Sequence, residues 1–283
     1  VIEPVGAIEF EIPKSIEGYR LISEAGIPFG VAPGNHDYDA WFETSVAGGG
    51  ETRTHIGGLK NFVSAFGSDT AFFRDKSWYV DSFGGGANSA QVFSAGGYRF
   101  LHLALEMQPG DDVILWAAGV IDRYFGLPTI ISTHDFLNAD GERLATYGMD
   151  LAFVDPSEHN SAEELWRVFI SRTDQIFMVL SGHQPGQALR IDRNEAGHEV
   201  YQILADYQYR AQAGWEAGMT LDASGQVPGI GDGWLRELRF RLNAVVPHVD
   251  VRTYSSHFGR YSSDVDRYAA WYREIEQPDM TDS

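Results

Sequence analysis

The sequence predicts a layered chain of mixed helices and strands, α/β in its first two-thirds and α+β as a whole. Three observations carry this. Segments with helical apolar spacing alternate with short apolar or β-branched runs up to residue 182. After residue 198 the pattern turns to strands, and HVDVRTYSS (248–256) shows clean period-two alternation. The apolar fraction, 43% with 7 Trp, 13 Tyr and 17 Phe, is enough for a substantial core.

In chain order, SIEGYRLISEA (15–25) reads as a helix opened by Ser15, and IPFGVA (27–32) as a buried strand. Residues 41–88 read as long and irregular, with GGG at 48–50 and again at 84–86. NSAQVFSAGGYRFLHLALE (88–106) is a strand, a Gly-Gly turn and a second strand. DDVILWAAGVIDRYFG (111–126) is a helix that Asp111 caps and Gly126 ends. TIIST (129–133) is a short strand. SAEELWRVFISRT (161–173) is a helix with a Ser161/Glu164 capping box. IFMVLSG (176–182) is a buried strand, and 199–208, 233–241 and 248–256 are three more. With no repeat or linker, 1–256 reads as a single domain and 257–283 as a polar, aromatic tail.

Charge and composition exclude several functions. Lys and Arg total 21 against 40 Asp and Glu, a net −19, which repels nucleic acid and anionic membranes. Cysteine is absent, so disulfides, thiolate nucleophiles and Cys-ligated zinc are out, as fits an exported bacterial protein. No apolar run reaches the ~18 residues that a membrane-spanning helix needs. The first residue is Val and no signal peptide precedes it, so the chain reads as processed or trimmed. A Gly-x-Ser-x-Gly elbow is absent. Gly84-Gly85-Gly86 lacks the Lys of a phosphate-binding loop and reads as a flexible turn.

Three strand ends carry similar chemistry. IPFGVA runs into Pro33-Gly34-Asn35-His36-Asp37, TIIST into His134-Asp135, and IFMVLS into Gly182-His183-Gln184-Pro185. Ligands of open α/β sheets bind outside the carboxyl ends of strands, so the three imidazoles are candidates for one crevice. Imidazole and amide oxygen suit Zn, Mn or Fe. A carboxylate beside a His holds its tautomer or raises its pKa, which points to Asp37 orienting His36 as a general acid or as an electrostatic partner for a substrate oxyanion. The other histidines are discounted: His55, His198, His248 and His257 as turn residues, His102 as a core or cross-strand residue. Tyr207 reads as reaching the same face or as a buried, hydrogen-bonded residue. Arg252 reads as facing outward.

Gly34-Asn35-His36-Asp37, Thr133-His134-Asp135 and Ser181-Gly182-His183, in that order, resemble the GNH(D/E), middle-His and GHxH motifs of the calcineurin-like metallophosphoesterases. The resemblance implies a layered β-sandwich flanked by helices. It implies two divalent metal ions (Mn, Fe or Zn) and hydrolysis of a phosphate monoester or diester by metal-activated water. By the same resemblance Asn35, His134 and His183 are ligands of one metal, His36 protonates the leaving oxygen, and Asp37 is its partner. The partner molecule is then a small phosphorylated substrate. NSAQVFSAGG, LADYQ and GDGWLRELRF also resemble a secreted bacterial branch of the family, which implies a secreted or periplasmic location.

The chain departs from the family at defined places. Neither the DxH nor the GDxxD motif precedes Gly34, and Pro185 replaces the second His of GHxH. Three readings follow: a piece of an active enzyme, a one-metal variant drawing on Asp39, Asp135 or Gln184, or a degenerate, non-catalytic binding or assembly module. Two or three neutral ligands without a carboxylate hold a divalent ion poorly, which favours the third. In the 41–88 segment, Arg53, Arg74 and Lys76 are cations for a phosphate or else solvated surface charges.

Overall fold

The computed structural model describes residues 5–40, 43–46, 48–143, 151–155, 158–212, 216, 218, 231–266 and 268. Helices and strands are mixed, as expected. Seven strands form the largest sheet: β3 (Tyr79–Phe83), β4 (Asn88–Ala95), β5 (Tyr98–Ala104), β6 (Thr129–Ser132), β7 (Ile176–Ser181), β8 (Gly186–Arg193) and β9 (Glu199–Asp206). Their order is β3-β4-β5-β6-β7-β9-β8. β3, β4 and β5 pair antiparallel, whereas β5, β6 and β7 run parallel. The chain divides into two compact units: Val1–Phe136, Leu144–Leu180 and Ile191–Tyr201 in one, Leu137–Arg143, Ser181–Arg190 and Gln202–Ser283 in the other.

In the first unit, the central strands bury Leu101, Leu103, Ile131 and Val179 completely. Helix α3 (Asp111–Arg123) buries Val113, Ala117, Val120 and Ile121, an i, i+4, i+7, i+8 stripe. Gly110, not Asp111, is its N-cap residue. Asp111 and Asp112 instead occupy its first turn, where negative charge suits the helix dipole.

Helix α1 (Val5–Glu24) begins ten residues before Ser15 and runs through Pro13, so Ser15 caps nothing. The apolar stripe continues upstream: Ile12, Ile16 and Tyr19 all pack on Phe62, Phe66, Phe72 and Phe73. The expected strand 27–32 is not one. No ladder pairing runs through it, and Pro28 and Pro33 cannot donate to one. Its burial has another source. Phe29 stacks on Tyr19 at 5.5 Å and meets Phe73 at 5.1 Å, so an aromatic cluster replaces the sheet as its anchor.

The 41–88 segment is more ordered than its composition indicates. β1 (Glu43–Val46) and β2 (Thr52–His55) pair as an antiparallel hairpin, exposed along nearly its whole length. Two bonds clasp its base: Gly57 N–H donates to Ala40 O at 2.9 Å and Asp39 N–H to Gly58 O at 2.7 Å. Helix α2 (Lys60–Phe66) follows. A one-turn helix α4 (Leu151–Val154) precedes α5 (Ala162–Leu165). The Ser161/Glu164 capping box is present, but α5 passes at once into a π-helical turn, Trp166–Ile170.

The second unit carries a three-stranded antiparallel sheet, β10 (Trp234–Arg241), β11 (His248–Ser255) and β12 (Arg260–Tyr261). β12 lies inside the expected tail, where Tyr261 pairs with Tyr254 and its ring stacks under Arg252 at 3.4 Å. Arg252 therefore covers a ring rather than extending freely. Residues 269–283 of the tail lie outside the described residues. Tyr207 is the buried, hydrogen-bonded residue: its ring hydroxyl bonds Gln187 and Thr253, each at 3.3 Å.

Candidate functional site

The Gly34-Asn35-His36-Asp37 stretch folds as a single 3-10 turn, Asn35–Asp37. Asp37 closes it, its Oδ2 accepting the Gly34 N–H at 2.8 Å. Two glycines fix where the turn sits. A Cβ on Gly30 would lie 2.5 Å from Gln91 Oε1, and one on Gly34 would lie 2.7 Å from the His134 ring. Only bare backbone passes here.

That approach brings two residues 99 positions apart into contact. His134 Nε2 donates to Asn35 Oδ1 at 2.9 Å. Asn35 is buried and His134, just beyond β6, half-buried. His36 is exposed on the same turn. His183 follows β7 in the second unit, with a left-handed backbone (φ 68°) that few non-glycine residues adopt. Pro185 is exposed.

Asp39 and Asp135, two of the other proposed ligands, accept hydrogen bonds of their own. Asp39 accepts the Lys60 and Asn61 N–H groups at 2.7 and 2.9 Å, capping α2. Asp135 is buried and accepts from Gln108 Nε2 at 3.2 Å. Among the described residues, no group of three or more His, Asp or Glu side chains is disposed to hold a metal ion. Arg74 and Lys76 lie outside the lining described next, whereas Arg53 belongs to it.

Behind the turn, His102 has both ring nitrogens bonded. Nδ1 lies 2.8 Å from Gln91 Oε1 and Nε2 lies 2.9 Å from Ser132 Oγ. Desolvation by burial pushes its pKa down to about 4, so the ring is neutral. This is the cross-strand residue expected from the sequence.

Beside the turn opens a cavity of about 1500 Å³ in the first unit. Tyr38 lines it directly after Asp37, with Ile56, Phe83, Val113 and His159 among its other walls. The Tyr38 hydroxyl donates to Met107 O at 3.4 Å. Its pKa is held well above the usual phenol range by burial, then by Glu106 and Asp37. Glu106 and Asn88 bond reciprocally: Asn88 Nδ2 donates to Glu106 Oε2 at 2.9 Å, and Glu106 N–H to Asn88 Oδ1 at 2.8 Å. Burial raises the Glu106 pKa to about 6; the Asn88 bond opposes this, and Asp112 and Glu158 add to it. Gln108 ties the far wall to β5, its Oε1 accepting the Ala152 N–H at 3.1 Å and its carbonyl bonding His159 Nδ1 at 2.9 Å.

Sequence reasoning did not find Glu106, Asp112, Glu158 or His159. They come from separate segments and share no motif. Glu106 alone left a signal, a carboxylate ending the apolar strand LHLAL, as His134 ends TIIST.

No family model matches the chain. It is similar to the uncharacterized protein YvnB of Bacillus subtilis (strain 168), with 25% identity over 243 residues, 84% of this chain. The match spans 15% of the length of that relative.

Proposed function

We propose that the Asn35–Asp37 turn and His134 belong to a divalent-metal phosphoesterase site that hydrolyses a phosphate monoester or diester. The observation that supports it best is the Asn35 Oδ1 to His134 Nε2 contact at 2.9 Å. Two groups whose atoms suit Mn, Fe or Zn meet there across 99 residues, beside a glycine whose Cβ would strike the His134 ring.

Asn35 and His134 fit as two donors of one ion. Among the described residues no group of three or more His, Asp or Glu side chains is disposed to hold a metal ion, which does not fit a two-metal centre. The chain's own contribution is His36, an exposed imidazole able to deliver a proton to a departing alkoxide. Asp37 holds the turn that presents it.

The test is hydrolysis of an aryl phosphate by the purified chain with Mn, Fe or Zn supplied, against chelator-treated protein, alongside elemental analysis. Metal-dependent turnover that His36→Ala lowers by about 100-fold supports the reading. Absence of both bound metal and turnover rejects it. That result instead favours the non-catalytic module.

A further inference from the structure

The wall of the cavity beside Tyr38 holds a buried acceptor that the chain leaves open. His159 is only 8% exposed and lies on the lining. Its Nδ1 sits 2.9 Å from the Gln108 carbonyl oxygen. A carbonyl only accepts, so Nδ1 carries the proton. Burial holds the ring pKa below its usual value, against that bond and the nearby Asp155 and Glu158, so the ring is neutral at pH 7. Nε2 is then a bare lone pair. No hydrogen bond or ion pair reaches it among the described residues, and its neighbours do not seal it. It opens to the cavity that the ring lines. Buried acceptors in folded proteins are nearly always satisfied, so this one calls for a donor from outside the chain. The ring is also held in its pose. Tyr38 meets it edge-on, with centroids 6.2 Å apart. Gln108 is buried and has a φ of 49°, a left-handed conformation that few non-glycine residues adopt. Its side chain is fixed at both ends, Oε1 by the Ala152 N–H and Nε2 by Asp135. Strain of this kind persists where the surroundings over-determine it, and it collects at ligand sites.

We propose that this cavity binds a neutral aromatic alcohol, a phenol, whose hydroxyl donates to His159 Nε2. The rest of the wall suits the ring of such a ligand. Tyr38 and Phe83 supply aromatic surface, and Ile56 and Val113 supply buried apolar surface. The exposed charges on the lining are of both signs, Arg53 and Lys60 against Asp112 and Glu158, and water screens them, so they select no ionic ligand. A deep acceptor selects a hydroxyl over an ether, which has no proton to give. The inference goes beyond phosphate-ester hydrolysis and does not depend on it.

The test joins nitrogen NMR of the histidine-labelled full chain to calorimetric titration, both at pH 7 without added metal. The probe is 2-naphthol. Its controls are 2-methoxynaphthalene, which keeps the rings and loses the donor, and decahydro-2-naphthol, which keeps the hydroxyl and loses the aromatic rings. In the free chain His159 shows a protonated Nδ1 and a bare Nε2. Saturable binding of 2-naphthol shifts the Nε2 resonance. It binds about 10-fold or more tightly than its methyl ether, the worth of one hydrogen bond to a buried acceptor. It also binds about 10-fold more tightly than the decahydro compound. His159→Phe removes the preference for hydroxyl over ether. The tautomer and both comparisons are read on the parent chain, so the proposal stays testable where that variant fails to fold. A proton on Nε2, an Nε2 resonance that 2-naphthol leaves unmoved, equal affinity for 2-naphthol and either control, or no binding of 2-naphthol overturns the proposal. Each outcome reads binding alone. A chain without phosphatase turnover therefore leaves the inference intact, and an active phosphatase that ignores 2-naphthol overturns only the inference.

Discussion

Gly34 leaves no room for a side chain beside His134. An added Cβ 2.7 Å from the imidazole must push the ring or the turn aside. Gly34→Ala is therefore expected to cost about 1–3 kcal/mol in a denaturant titration and to shift the His134 side-chain nitrogen resonances. Unchanged resonances would break the proposed linkage. His102 and Glu106 set opposing pH slopes. The His102 pKa falls to about 4 on folding, so between pH 6.5 and 4 the unfolded chain binds the proton first. Stability drops as pH falls through that window, by about 3 kcal/mol. The Glu106 pKa rises from 4.5 to about 6, so its contribution is full below 4.5 and is lost as pH rises through 6, by about 2 kcal/mol. The two slopes oppose each other between pH 4.5 and 6. Glu106→Gln removes the second, so relative to the parent it should gain nothing at pH 4.5 and about 2 kcal/mol at pH 7.5. Melting curves across that range check the sign.

At the scale of elements, local chemistry explains both what was legible and what was not. β4 through β7 were readable because each is an apolar run bounded by turn or polar residues. The 27–32 segment has the same composition and forms no strand, because hydrophobicity reports burial and not ladder pairing. Phe29 found an aromatic cluster, and two prolines removed donors. β8 was missed for the converse reason: Gly186-Gln187-Ala188 offers no apolar alternation, yet it is buried. The α5 cap was readable because it is local. The Ser161 side chain accepts the Glu164 N–H, and Glu164 Oε2 accepts the Ser161 N–H at 2.9 Å. With only one α-turn before the π segment, Ser161→Ala should cost about 1 kcal/mol and expose the Glu164 amide to faster hydrogen exchange.

At the scale of the molecule, the charge of −19 was legible at once and the cavity not at all. Charge is a sum over residues, whereas the cavity wall joins β4, β5, α3 and the loop after α4, which no local pattern connects. Self-repulsion among 40 acidic and 21 basic residues predicts a salt response. Raising NaCl from about 0.05 to 0.5 M should lift the melting temperature by a few degrees; a fall would mean that attractive pairs dominate the native surface. The β1–β2 hairpin brings Ser45, Arg53 and His55 to that cavity, and the clasps among the described residues lie at its base, Asp39 to Gly58 and Gly57 to Ala40. Its exposed residues leave the core nothing to lose when they change. Across descendants of this chain the hairpin is thus the segment freest to lengthen, shorten or be exchanged. The hairpin's share of the cavity wall can drift over generations while the buried aromatic cluster beneath α1 stays constrained by folding.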